Sequence, residues 1–190
     1  GSENTALGVS ALTANTTGAQ NVAVGKDALY NNLATGNTAI GYKSLYNNND
    51  GGSNVAIGHS ALSSNTTGNA NTAIGNFTLD HAENSSYNTA IGNIAGQNSA
   101  FIGGTAVTGN YNTYIGANTV NKLTTSNSTA IGFGASISAS NTIQLGNTSV
   151  TSVQTSGVVS ATGFQTTGTV TATSFVGDGS GLTNLPSSSL

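Results

Sequence analysis

The pentad Asn71-Thr72-Ala73-Ile74-Gly75 is one copy of a phrase that recurs along most of the chain. It stands as NTALG at 4–8, NVAVG at 21–25, NTAIG at 37–41, NVAIG at 54–58 and NTAIG again at 88–92. Looser copies follow as SAFIG (99–103), NTYIG (112–116), STAIG (128–132) and NTIQLG (141–146). The closing glycines are spaced 17, 16, 17, 17, 17, 11, 13, 16 and 14 residues apart. A short period held this long signals stacked units, each too small to bury a core alone and each completed by its neighbours.

One unit reads Asn-[Thr/Val]-Ala-[Ile/Val/Leu]-Gly-x-x-[Ala/Ser/Thr]-Leu, followed by a polar loop. The pattern predicts two short strands per unit, one on either side of a glycine bend at Gly41, Gly58, Gly75 and their equivalents. Ten such coils, stacked at the spacing of paired strands, would make a column on the order of 45 Å tall. Alternation along a strand places Thr38 and Ile40 on one face and Ala39 on the other. The larger Ile40, Ile57 and Ile74 are expected to fill the roll, leaving the alanines to face a neighbouring chain. Ile57→Asp would then bury an unpaired charge. Asn37, Asn54 and Asn71 stand in phase and predict a ladder of side-chain amides along the stack.

Composition narrows the function. Charged residues make up 5% of the 190, against about 25% in ordinary soluble domains. A disordered chain is usually charge-rich and short of β-branched residues, whereas this one places Val and Ile at fixed phase. The net charge is −3, and the cations are Lys26, Lys43 and Lys122. No basic stripe exists to neutralise phosphates, which argues against a nucleic-acid partner. No apolar run approaches the ~20 residues of a membrane span. Methionine and cysteine are both missing, and the chain opens mid-repeat, so it reads as a piece of a longer protein with Gly1-Ser2 as a cloning scar.

Chemistry-bearing residues are few. Asp80, His81 and Glu83 fall within four positions, but three ligands on one loop make a weak metal site. No nucleophile elbow is present. The expectation is a protein with no enzymatic activity, cofactor or metal. Tyr30 and Tyr46 follow the leucine in consecutive coils and should stack, with Asn31 and Asn47 beside them. Aromatic faces flanked by amides suit a glycan, and an aromatic ladder that merely covers the roll is the plainer reading. Tyr42, Tyr87, Tyr111 and Tyr114 look scattered.

Over residues 4–146 the N-[TV]-A-[IVL]-G repeat resembles the head repeat of YadA-like trimeric autotransporter adhesins. The resemblance implies a left-handed parallel β-roll assembled as a homotrimer, with a cell-surface glycan or protein receptor as partner. The coils here, mostly 16–17 residues, are longer than that family's usual repeat. Past Gly146 the pattern changes: Gly157-Val-Val-Ser-Ala-Thr-Gly-Phe164 recurs as Gly168-Thr-Val-Thr-Ala-Thr-Ser-Phe175. The ending SFVGDGSGLTNL at 174–185 resembles a segment of phage tail fibres that often precedes a self-cleaving intramolecular chaperone domain.

The expected architecture is therefore all-β: a trimeric β-roll head over 1–146 and an intertwined β-stalk over 147–190. The expected role is a structural and adhesive segment of an extracellular fibre, either a phage or injection-device tail fibre or a bacterial surface adhesin. An ice-binding Thr/Asn-rich β-solenoid is the alternative, although Val22 and Val55 interrupt its threonine column.

Overall fold

A computed structural model of the chain describes residues 1–98, 109–122, 124–160 and 171. They belong to two compact units, Gly1–Val153 and Gln154–Leu190. Of the second unit, the described residues are exposed and lie outside any strand. Most of the expected stalk, including the segment at 174–185, falls outside the described residues.

Each repeat phrase folds into a three-residue strand: β1 (Thr5–Leu7), β2 (Val22–Val24), β3 (Thr38–Ile40), β4 (Val55–Ile57), β5 (Thr72–Ile74) and β6 (Thr89–Ile91). β8 (Thr113–Ile115), β10 (Thr129–Ile131) and β12 (Ile143–Leu145) continue the series, interleaved with the short β7 (Gln97–Asn98), β9 (Val120–Asn121) and β11 (Ser136–Ile137). The three-residue strands form one parallel sheet in the order β1-β2-β3-β4-β5-β6-β8-β10-β12, and β11-β9-β7 form a second. Register is the same at every step: Thr38, Ala39 and Ile40 lie opposite Val55, Ala56 and Ile57, which lie opposite Thr72, Ala73 and Ile74. Pairing like with like at each turn makes the chain a parallel β-solenoid, and the described residues contain no helix. The rung after β6 is β8; the copy at 99–103 lies outside the described residues.

The two faces of this sheet are reversed from expectation. Ala39, Ala56 and Ala73 are 0% exposed, whereas Ile40 and Ile74 are 38% and 36% exposed and Ile57 is half-buried. The alanine column faces the interior, and the isoleucine column lies outside beside the Thr/Val column. The interior is too narrow for two large walls. Opposite the strand, Leu29, Leu45, Leu62 and Leu79 are fully buried and reach across the coil, backed by Ala28, Ala61 and Ala95. With leucine filling the space from one side, only a methyl group fits on the other. The aspartate expected to unfold the roll at Ile57 would therefore land on the outer face.

The second strand expected in each coil is replaced by turns over most of the solenoid. Lys43 and Leu45 sit at φ +54° and +49°, and Ser60 and Leu62 at +52° and +51°. Left-handed residues at alternate positions curl the return arm instead of extending it. Asn48 N–H donates to the Leu45 carbonyl at 3.3 Å, closing a turn within the coil. Leu45 N–H donates to the Ala61 carbonyl at 3.0 Å, joining that arm to the next coil. Among the described residues, the coils that build return strands are the later ones, with β7, β9 and β11.

Asparagine columns stitch the stack. Asn37, Asn54 and Asn71 are fully buried. Asn54 N–H donates to Asn37 Oδ1 at 2.9 Å, and Asn71 N–H donates to Asn54 Oδ1 at 2.9 Å. Each side-chain nitrogen turns the other way and caps a loop carbonyl of its own coil: Asn37 to Gly51 at 2.8 Å, Asn54 to Gly68 at 2.9 Å. The ladder is thus mainly side chain to backbone, with amide-to-amide links as at Asn71 to Asn54, 3.1 Å. A second column, not anticipated from the sequence, is made by Asn32, Asn48 and Asn65. Asn48 Nδ2 donates to Asn32 Oδ1, and Asn65 Nδ2 to Asn48 Oδ1, each at 2.6 Å. These bonds give most of the buried amides partners in a core with few large apolar side chains, while Asn65 Oδ1, at the end of the second column, accepts none.

One joint breaks the pattern. Gly96 occupies the step that leucine fills in the coils before it, and Tyr114 stands where β1 to β6 and β10 carry alanine. Tyr114 is fully buried. A Cβ added to Gly96 would lie 2.9 Å from Tyr114 Cδ2 and 2.7 Å from Leu79 Cδ2, so the tyrosine ring takes the space the missing leucine leaves. Asn121 Nδ2 donates to the Tyr114 hydroxyl at 3.0 Å. Burial pushes this phenol's pKa well above its ordinary range, and the bond from Asn121 offsets only part of that shift.

Candidate aromatic and cationic surface

Side chains that step outward at the same position of successive coils are brought side by side. Tyr30 and Tyr46 stack with ring centroids 5.1 Å apart and planes 19° apart. Beside them, Asn31 Nδ2 donates to Asn47 Oδ1 at 3.4 Å. The four candidate glycan contacts therefore lie together on one surface, Asn47 exposed and Tyr30, Tyr46 and Asn31 half-buried. The backbone explains why the stack has two members: Asn47 N–H pairs with the Ser63 carbonyl of the next coil, and a serine offers no ring to continue it.

The same surface holds more than the sequence disclosed. Tyr42 and His59 directly follow the bend glycines Gly41 and Gly58, and their ring centroids are 5.1 Å apart. Phe77 meets His59 edge-on at 4.9 Å. Lys43 Nζ lies 5.4 Å from the Tyr42 centroid and 5.2 Å from that of Tyr46, which ties the two ring groups together. Lys26 Nζ lies 5.9 Å from the Tyr42 centroid. Two of the chain's three cations thus converge on one tyrosine, within the ~6 Å at which an ammonium ion is attracted to a ring face.

A second aromatic pair was hidden by the irregular spacing of the later copies. Tyr87 and Tyr111 stack at 5.0 Å with planes 6° apart, and both are exposed. Counted from the preceding glycine they share no phase. Counted from the ladder asparagine that follows each of them, Asn88 or Asn112, they occupy one step. That count would have found the pair.

The acidic cluster resolves into local contacts. His81 Nδ1 lies 2.8 Å from Asp80 Oδ1, and Gln97 Nε2 donates to that oxygen at 3.5 Å. The Glu83 carbonyl accepts from Thr66 N–H at 2.7 Å. Among the described residues no group of three or more His, Cys, Asp or Glu side chains is placed to hold a metal ion, nor is any helix long and apolar enough to cross a membrane. No protein-family model and no curated protein matches this chain.

Proposed function

We propose that this chain is a structural and adhesive segment of a homotrimeric extracellular fibre that presents aromatic, amide-flanked surfaces to a host glycan or receptor. The observation that carries the reading is the outward apolar column Ile40, Ile57, Ile74, Ile91, Ile115 and Ile131, aligned rung on rung. Monomers scatter single apolar residues over their surface, whereas a continuous stripe of them is what a protein contact requires. A three-fold arrangement would bury three such stripes against one another about a common axis. Repeating a weak surface contact three times along a stiff rod would then give avidity. Tyr30, Tyr46, Asn31 and Asn47, with Tyr87 and Tyr111, are the surfaces such a fibre would offer.

The reading is non-catalytic. Asp80 already engages His81 and Gln97. An open cleft of about 550 Å³ over the last rungs is lined by Val120, Ser136, Gln144, Asn147 and their neighbours, and among the described residues lining it Lys122 is the one titratable side chain. That is no acid–base pair.

Sedimentation equilibrium tests the proposal. The wild-type chain is expected at three times 18.6 kDa, and Ile57→Asp combined with Ile74→Asp at the single-chain mass with an unchanged circular dichroism spectrum. A wild-type monomer, or a trimer indifferent to the two aspartates, would reject the interface.

A second reading has one observation in its favour. The outer face of the sheet carries a Thr/Val column beside the isoleucines, repeated at the strand spacing of ~4.8 Å, as an ice-binding surface would. An ice-recrystallisation assay decides between them: no inhibition at micromolar protein is expected, and clear inhibition would bring the ice-binding solenoid forward.

A further inference from the structure

We infer that the surface centred on Tyr42 is a binding site for an anionic polysaccharide, with a carboxylated or sulfated sugar laid against the exposed edges of the tyrosines and its charge set between Lys26 and Lys43. This rests on the glycan-binding reading above and names the class of glycan.

The first ground is the placing of charge. The chain as a whole is at −3, yet Lys26 and Lys43 both lie over the Tyr42 ring, with Asp27 the acid next to Lys26 in sequence. Asp27 occupies the same step as Lys43, one coil earlier, and is half-buried. Among the described residues the short contact between an acid and a basic side chain is Asp80 with His81. Neither ammonium ion is held by a carboxylate; both rest over rings. A cation on a ring face keeps most of its capacity to attract an anion, because the ring supplies only partial negative charge.

The second ground is shape. Tyr30–Tyr46 and Tyr42–His59–Phe77 form two runs of ring contacts across four successive coils, joined by Lys43. Tyr30 and Tyr46 turn their faces to one another and the lysines lie over that of Tyr42, so the rings offer a sugar their edges and hydroxyls, with the exposed amide of Asn47 beside them. Coils recur at the ~4.8 Å strand spacing, close to the length of one sugar ring, so consecutive residues of an extended polymer can meet consecutive steps of the platform. A neutral glycan would use the rings and leave the lysines idle. An anionic one uses both.

Calorimetric titration of the full chain with polygalacturonate, heparin and neutral dextran tests this. Polygalacturonate separates a carboxylate preference from the sulfate preference that heparin reports. At least one anionic polymer is expected to bind, with affinity falling as salt rises, while dextran does not. Lys43→Gln should weaken binding about tenfold, and Lys26→Gln with Lys43→Gln should abolish it, both with wild-type circular dichroism and sedimentation. Tyr42→Ala should weaken binding to each anionic polymer alike.

Equal binding of dextran would overturn the anionic preference and leave glycan adhesion standing. Wild-type affinity in the double lysine variant would overturn the site. Binding of none of the three polymers would overturn the inference, while the fibre reading would still stand or fall by its sedimentation mass.

Discussion

Replacing Gly58 by alanine is expected to split the column between its fourth and fifth rungs. Gly58 sits at φ +135°, a region that residues with a Cβ occupy only at a cost of ~1–3 kcal/mol. The added methyl would also lie 2.4 Å from the carbonyl oxygen of Gly75 and 2.6 Å from its carbon. Backbone atoms of the next coil cannot swing aside as a side chain can, so the two rungs must separate, adding ~1–3 kcal/mol of overpacking strain. The combined loss is about 4 kcal/mol. In a stack whose units touch only their neighbours, that loss falls on one interface. Urea unfolding followed by circular dichroism should change from one transition to two, with amides of β4 and β5 losing exchange protection first. An unchanged midpoint would contradict the close contact of the glycine column.

Tyr114→Ala should be about as damaging, at roughly 3–5 kcal/mol, the usual cost of deleting a buried aromatic ring. Gly96 cannot fill the void, because it has no side chain to move. Gly96→Leu alone should also destabilise, since its leucine would enter space the ring already holds. Together the two changes restore the leucine-and-alanine pairing of the earlier coils, so the double variant should be more stable than either single one. Strictly additive losses would show that the two residues do not share a cavity.

The raised phenol pKa adds a pH signature. The unfolded chain releases this proton near pH ~10, before the folded chain does. The stability Tyr114 supplies is therefore complete below that value and falls as pH rises past it. Tyr114→Phe should remove that part of the alkaline loss.

The repeat phrase disclosed the parallel register of the rungs, the glycine bend, the first asparagine column and the pairing of Tyr30 with Tyr46. All of these follow from phase alone. Which face of the strand turns inward does not follow from phase, and the rule that the larger apolar residue goes inside misassigns it. Two features of the sequence point the other way. From β1 to β6 the isoleucine step accepts Leu7 and Val24, whereas the alanine step is alanine at every rung; the tighter constraint marks the tighter space. Thr38 shares a face with Ile40, so the isoleucine face is also the more polar one.

The return arm was misread because leucine at φ near +50° is uncommon, and its recurrence at Leu29, Leu45, Leu62 and Leu79 is imposed by the coil and not by local preference. The second asparagine column was hidden among loop residues. Asn48 and Asn65 each lie seven positions past a bend glycine and three before another glycine, a spacing that marks them as interior once it is counted.

The joint between Gly96 and Tyr114 also bears on how such a chain can change length over generations. Between β2 and β6 every strand meets the next in the same register and through the same asparagine-to-backbone bond. Copying one coil there by unequal recombination inserts a unit that fits both neighbours, and the column simply grows by one step. A crossover that separates Gly96 from Tyr114 leaves a hole on one side and a surplus ring on the other. The early coils are interchangeable parts, while this pair acts as a keyed coupling that fixes where one run of repeats ends and the next begins.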